Sequence, residues 1–155
     1  MSCSRLAMLL ALLLGGCALI QPELPATDLS APKWMVRSGQ AVWQPAQDGA
    51  PRLLGDLVMA ESDDGELYLS FTKAPLPLFT ARRWGGRWAI RFVEEQRSYG
   101  GYGPPPRGRF IWFALPDIVA GEAPPAGWEV ETVAPHIWQL RQPKTGESLR
   151  VVLPP

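Results

Sequence analysis

Apolar and polar side chains alternate along most of the chain that follows residue 32. In residues 66–71, Leu67, Leu69 and Phe71 share one face, and more polar side chains occupy the other. This period of two is typical of a β-strand with one buried face. The pattern predicts eight strands, at residues 40–43, 52–62, 66–71, 79–84, 87–93, 128–132, 138–141 and 149–153.

Short turns join neighbouring strands. Gly85-Gly86, residues 63–65 and residues 144–147 have the composition of hairpin turns, which favours an antiparallel meander. No apolar stretch at helical spacing is long enough to predict a helix, apart from a single turn at residues 117–121. We therefore expect a mainly β fold with little helix: one curved antiparallel sheet that forms a half-open or closed barrel with an apolar interior.

Tryptophan contributes large, rigid surfaces to the expected interior, and its N–H suits the edge of an apolar cavity. Plain core packing is the alternative for each of these rings. The side chains expected to line the cavity are Leu67, Leu69, Phe71, Trp88, Ile90, Phe92, Trp112, Trp128, Val130, Trp138 and Leu140.

Two segments lack the alternation of apolar and polar side chains. Residues 109–116 are apolar almost throughout, which predicts either a strand buried on both faces or an element laid across the mouth of the sheet. Residues 99–108 contain four glycines and three consecutive prolines, which predicts a long loop or flap. A proline-rich partner motif at Pro104-Pro105-Pro106 is the alternative for this second segment.

The N-terminus predicts a lipid anchor. Residues 1–16 have a basic start at Arg5 and an apolar run that is too short to span a bilayer, as in a secretory signal peptide. Leu14-Gly15-Gly16-Cys17 resembles the bacterial lipobox, so we expect cleavage before Cys17 and acylation of that cysteine. An ordinary signal peptide with an incidental cysteine is the alternative.

The mature chain then divides into residues 17–32, a lipidated cysteine with a proline-rich tether, and residues 33–155, the sheet domain. Several acyl chains anchor a protein stably to a membrane. By resemblance to bacterial lipoproteins, Ala18 in place of aspartate implies the periplasmic face of the outer membrane.

Charge and residue usage exclude other classes of function. Lys+Arg and Asp+Glu both total 15, so no net positive charge attracts nucleic acid. The chain has a single histidine, His136, and the acidic pairs Asp63-Asp64 and Glu94-Glu95 are typical of turns and strand ends. We therefore expect no enzyme, no catalytic residue, no metal and no cofactor.

The connection at residues 74–79 is unusually apolar. Leu76 lies between Pro75 and Pro77, which fix the backbone and lack an N–H. Leu76 either projects outward on a stiff tip that contacts the acyl chains of a membrane or folds back onto the core.

Several segments resemble, in chain order, the outer-membrane lipoprotein receptor (LolB-like) and periplasmic carrier family of the bacterial lipoprotein-localisation system. They are residues 38–42, 71–76, 79–84, 109–116, 127–131, 138–141 and 148–153. The resemblance implies an open half-barrel that holds acyl chains, and it assigns the protruding leucine of the tip to Leu76. The chain departs from the family at Pro77, where the family has glycine, and at residues 93–108, which replace a helical cap.

These observations predict a lipid-anchored binding protein that accepts acyl chains or lipoproteins and helps deliver them to the outer membrane. Its expected partners are the membrane, through the N-terminal lipid, the acyl chains or lipoproteins, and a periplasmic carrier protein. The alternative is a structural or adaptor lipoprotein of the envelope with a packed β core and no ligand.

Overall fold

The computed structural model describes residues 24–155, so Cys17 and the expected signal peptide lie outside the described residues. Within residues 24–155, nine strands form a single antiparallel sheet. Its strands are β1 (Trp34–Gln44), β2 (Leu53–Ser62), β3 (Leu67–Lys73), β4 (Leu76–Trp84), β5 (Arg87–Phe92), β6 (Arg97–Tyr102), β7 (Glu129–Ala134), β8 (Ile137–Gln142) and β9 (Glu147–Val152). A short 3₁₀ helix, Ile111–Ala114, continues directly into α1 (Leu115–Val119).

The sheet is curved and open. Its strand order is β6-β5-β4-β3-β2-β1-β9-β8-β7, so the first and last of the described strands pair inside the sheet, with Ala41 opposite Val151. Within the described residues β6 and β7 are the two edges, and residues 103–128 connect them across the open side. The expected mainly β architecture with little helix is confirmed.

The pairing register of neighbouring strands explains why one face of the sheet is apolar. Phe71 lies opposite Leu57 on one side and Phe79 on the other, and Leu69 lies opposite Met59 and Ala81. These side chains are all buried on the concave face. The alternation of the sequence therefore becomes a continuous apolar surface across three strands, because aligned positions of neighbouring strands point to the same side.

The sheet has two ends that differ in their loops. The β3–β4 turn, the β5–β6 turn, the β8–β9 turn and the β1–β2 loop share one end, which we call the tip end. The β2–β3 and β4–β5 turns lie at the opposite end.

The expectation of a loop over residues 99–108 was wrong in its first part. Residues 99–102 belong to the edge strand β6, and the irregular segment begins at Gly103. The glycine at 101 is compatible with a strand because the indole of Trp88 packs over it: a Cβ there would lie 3.1 Å from Trp88 Nε1. Glycine in a strand often marks such a close approach.

Residues 109–116 form an element across the open side of the sheet and not a buried strand. The 3₁₀ helix and α1 cover this region, and Pro116 sits in the first turn of α1, where its missing N–H costs no hydrogen bond. The helical turn expected at 117–121 begins two residues earlier, at Leu115.

The β4 strand also begins earlier than the alternation predicts, at Leu76 instead of residue 79. Pro77 pairs opposite Thr72, next to a register shift between Phe71 and Thr72. A bulge is one of the few places where a strand accepts proline, which lacks a backbone donor.

Candidate functional site

The concave face of the sheet is rich in aromatic rings near the tip end. Phe71, Phe79 and Phe92 lie side by side on β3, β4 and β5. Trp43 of β1 contacts Phe79 with ring centroids 6.2 Å apart and stacks on Phe92 at 6.0 Å. These rings form an apolar wall from the middle of the sheet towards its β6 edge.

A short segment of the chain fills the space in front of this wall. We call residues 110–119 the plug. Trp112 lies at its centre, 1% exposed, with its ring 4.5 Å from Phe79, 5.5 Å from Phe71 and 5.7 Å from Trp43. The large side chains that the plug buries are Phe110, Ile111, Trp112, Phe113, Leu115 and Ile118. The concave face is therefore covered by the chain itself.

Few polar contacts hold the plug in place. The carboxylate of Asp117 accepts a salt bridge from Arg107 at 2.6 Å, and both side chains are about one third exposed. Trp128 Nε1 donates a hydrogen bond to the Gly108 carbonyl at 2.9 Å, and the Phe110 amide donates to Pro106 at 3.0 Å. A surface ion pair contributes about 0–1 kcal/mol. Apolar packing is thus the main contribution to the stability of the closed arrangement.

One polar atom inside the aromatic cluster lacks a partner. Trp112 Nε1 is buried and meets no hydrogen-bond acceptor among the described residues. A buried, unsatisfied N–H costs about 1–3 kcal/mol. The closed arrangement therefore carries a local cost at the centre of the plug.

A cleft of about 210 Å³ opens at the tip end beside the plug; we call it the mouth cleft. Trp43 and Glu147 form part of its wall, and Trp43 Nε1 donates a hydrogen bond to Glu147 Oε1 at 2.9 Å. Burial raises the pKa of Glu147, and this hydrogen bond opposes the rise. The full lining is Trp43, Pro45, Ala46, Gln47, Phe92, Glu95, Tyr99, Arg109, Phe110, Trp112 and Glu147.

The apolar turn lies at the same end of the sheet. Leu76 follows the β3–β4 turn and is 66% exposed, and its neighbours Pro75 and Pro77 are exposed as well. Leu76 pairs with Lys73 across the turn. Of the two arrangements open to Leu76, the structure has the outward one.

The N-terminal segment lies against the convex face. Arg82 is only 7% exposed, and its Nη1 donates to the carbonyls of Pro25, at 2.7 Å, and Ala26, at 3.3 Å. Its Nη2 lies 3.7 Å from Glu66. Pro25 and Ala26, which belong to the expected tether, therefore contact the sheet ahead of the start of β1.

The side chains expected to line a cavity converge on the concave face. Leu67, Leu69, Phe71, Ile90 and Leu140 are fully buried there. Trp128 is buried as well, and Trp88, Phe92, Val130 and Trp138 are partly buried against the same cluster. Trp112 belongs to the plug, so it occupies the space that a guest would need.

The acidic pairs and the histidine that could have formed an enzyme site do not lie together. The Asp63-Asp64 turn lies at the end of the sheet opposite the Glu94-Glu95 turn, so these acidic pairs do not form one site. His136 is exposed in the β7–β8 turn.

Sequence reasoning missed three residues of the mouth cleft and its wall. Trp43 and Phe79 lie at the tip end of strands that the alternation predicts, and each continues its buried face. Glu147 was assigned to a hairpin loop, although it lies two positions before Leu149 and on the same face. Extending the alternation of β9 backwards by one step would have found it.

Comparison of the chain with known proteins identifies no family. No protein-family model matches the chain, and no curated protein matches it. Among residues 24–155, no helix is both long and apolar enough to cross a bilayer. The same part of the chain contains no group of three or more His, Cys, Asp or Glu side chains placed to hold a metal ion. Function is therefore inferred from the concave face and its openings.

Proposed function

We propose that this protein is a lipid-anchored binding protein of the bacterial envelope, which accepts acyl chains or lipoproteins on its concave face and helps deliver them to the outer membrane. The observation that supports this proposal is an open sheet whose apolar face is covered by a single short segment, the plug. A second sheet or a long helix would make a permanent core. The proposal requires the guest to displace this short segment, which lies between two irregular loops.

The energy of exchange between plug and acyl chain can be compared by the apolar groups that each buries. Burying one large apolar side chain is worth about 1.5–3 kcal/mol, so the six of the plug contribute roughly 9–18 kcal/mol. An acyl chain of about 14 methylene groups contributes roughly 11 kcal/mol at about 0.8 kcal/mol each. The value for the acyl chain lies within the lower half of the range for the plug, so the proposal requires an actual cost of opening near that lower end. The unpartnered N–H of Trp112 is free to find an acceptor on opening, which lowers this cost.

The other parts of the proposal concern the membrane. Cys17 is the proposed lipid attachment site, and the exposed Leu76 is the proposed membrane contact. Membership of the lipoprotein receptor and carrier family belongs to the same proposal, with a periplasmic carrier as the donor of the cargo. Transfer then follows the difference in affinity between donor, concave face and bilayer, with no covalent step.

The experiment is a titration of a fluorescent fatty acid into the chain from residue 18 onward, with Cys17 removed so that no anchor competes. We expect saturable binding at one site. Arg107→Gln removes the ion pair to Asp117 that restrains the plug, so the probe should associate several times faster. Lys33→Gln removes an exposed ion pair to Glu66 away from the plug and should leave the rate unchanged. Absence of any apolar ligand binding would contradict the proposal.

A second candidate function is supported by the interlocking rings. Trp112 packs between Phe71, Phe79 and Trp43, as in a permanent core. In that case the protein is a structural or adaptor lipoprotein that meets partners through its surface. The titration separates the two candidates, because a permanent core binds no probe in the wild type or in Arg107→Gln.

A further inference from the structure

The mouth cleft and the proposed membrane contact, Leu76, lie at the same end of the sheet, the tip end. A membrane that receives Leu76 therefore places its headgroup layer next to this cleft. Its volume of about 210 Å³ corresponds to roughly seven water molecules at about 30 Å³ each, which suits a headgroup and not a whole lipid.

One side of the cleft carries a negative charge among aromatic rings. Glu147 accepts a hydrogen bond from Trp43 Nε1, and no ion pair of Glu147 is found among residues 24–155. Trp43 and Phe92 belong to the same wall. A carboxylate combined with aromatic faces is the arrangement that attracts an organic ammonium ion.

The other side carries a positive charge. The guanidinium of Arg109 lies over the rings of Tyr99, at 4.8 Å, and Phe110, at 5.1 Å. Stacking engages the flat face of the guanidinium and leaves its N–H edges available for a phosphate, which arginine binds in a bidentate manner. The described residues give this guanidinium no ion pair either.

We propose that the mouth cleft binds the zwitterionic headgroup of a membrane phospholipid, with Glu147 and the aromatic rings holding the ammonium group and Arg109 holding the phosphate. The lining of the cleft contains the carboxylates of Glu147 and Glu95 and the guanidinium of Arg109, so it offers a partner to each of the two charges of such a headgroup. An acidic peptide or a free anion would use Arg109 and leave Glu147 without a partner. This inference takes its orientation from the proposed membrane contact of Leu76, but its test requires no membrane.

The test titrates glycerophosphoethanolamine, a headgroup without acyl chains, into the chain from residue 18 onward. Binding is followed by the fluorescence of the tryptophans at the cleft. A single headgroup with one ion pair at each end should bind with a Kd of about 1 mM. Glu147→Gln retains an acceptor for Trp43 Nε1 and removes the charge, so it should weaken binding about tenfold without unfolding the protein.

Two comparisons make the test specific. Glycerol phosphate lacks the ammonium group, so Glu147→Gln should not weaken its binding. Arg109→Gln should weaken the binding of both compounds. Because burial raises the pKa of Glu147, headgroup binding should also weaken as the pH falls through that raised value; Glu95, Arg97 and Arg109 are the other charged groups near the cleft.

Absence of saturable headgroup binding would overturn the proposal, and so would equal binding by the wild type and Glu147→Gln. The fatty-acid titration measures the concave face and does not require Glu147. Failure of headgroup binding can therefore be distinguished from failure of the proposed function.

Discussion

At the scale of single residues, Trp112 has an unusual position. Its ring packs against three other aromatic rings, yet its N–H has no acceptor in the described part of the chain. One side chain thus combines favourable apolar packing with an unfavourable buried N–H. The indole stabilises the closed protein by its area and destabilises it by its hydrogen-bonding group.

Substitution at Trp112 should separate these two contributions. Trp112→Ala removes the ring and should lower the free energy of unfolding by about 3–5 kcal/mol, as for other large-to-small changes in a core. Trp112→Phe keeps an aromatic ring and removes the unpartnered N–H, so its free energy of unfolding should stay within about 1.5 kcal/mol of the wild type. Urea unfolding measures both. Equal destabilisation by the two variants would contradict the inferred net cost of the N–H.

The alternation of apolar and polar residues within a strand predicts which side chains are buried together. It does not predict every residue of the concave face and the mouth cleft. Leu67, Leu69 and Phe71 follow from the period of two in a single strand. Arg82 does not, because its partners are the carbonyls of Pro25 and Ala26, far away in the chain. The role of Glu147 depends on Trp43, which is brought to it only by the pairing of β1 with β9.

At the scale of elements, the plug and the tip are the parts that would act. The plug is a 3₁₀ helix and a five-residue helix, each too short to be stable without packing. An apolar sequence without alternation suits either a strand buried on both faces or an element across the mouth of the sheet. The sequence therefore predicted the observed arrangement only as one of these two alternatives. Residues 99–102 were predicted as loop because glycine usually interrupts strands, whereas here Gly101 accommodates the indole of Trp88.

The tip should be required for delivery and not for folding. Leu76→Glu places a charge on a side chain that is 66% exposed, so the free energy of unfolding should change by no more than about 0.5 kcal/mol. Transfer of a bound acyl probe to liposomes should fall at least tenfold, because a carboxylate opposes insertion among acyl chains.

Val133→Glu is the matched control for the tip. Val133 is an apolar side chain, 47% exposed, on the part of β7 that lies away from the tip end. Transfer by this variant should equal that of the wild type. Unchanged transfer in Leu76→Glu, or an equal loss in both variants, would count against a specific role of the tip.

At the scale of the whole molecule, the features of the open sheet on which the proposals rest lie at one end. The mouth cleft and Leu76 share the tip end, and Arg82 binds Pro25 and Ala26 on the convex face, away from the plug. The N-terminal segment can therefore lead to an anchor without crossing the plug. This arrangement depends on the central pairing of β1 with β9, which no local pattern predicts because the two strands are separated by most of the chain.

Hydrogen exchange across residues 111–119, with and without a bound fatty acid, tests the central claim most directly. If the acyl chain replaces the plug, these amides should exchange much faster when the ligand is bound, while the amides of β3 and β4 remain protected. Exchange at residues 111–119 that is as slow with saturating ligand as without it would contradict the claim that the plug gives way to a guest.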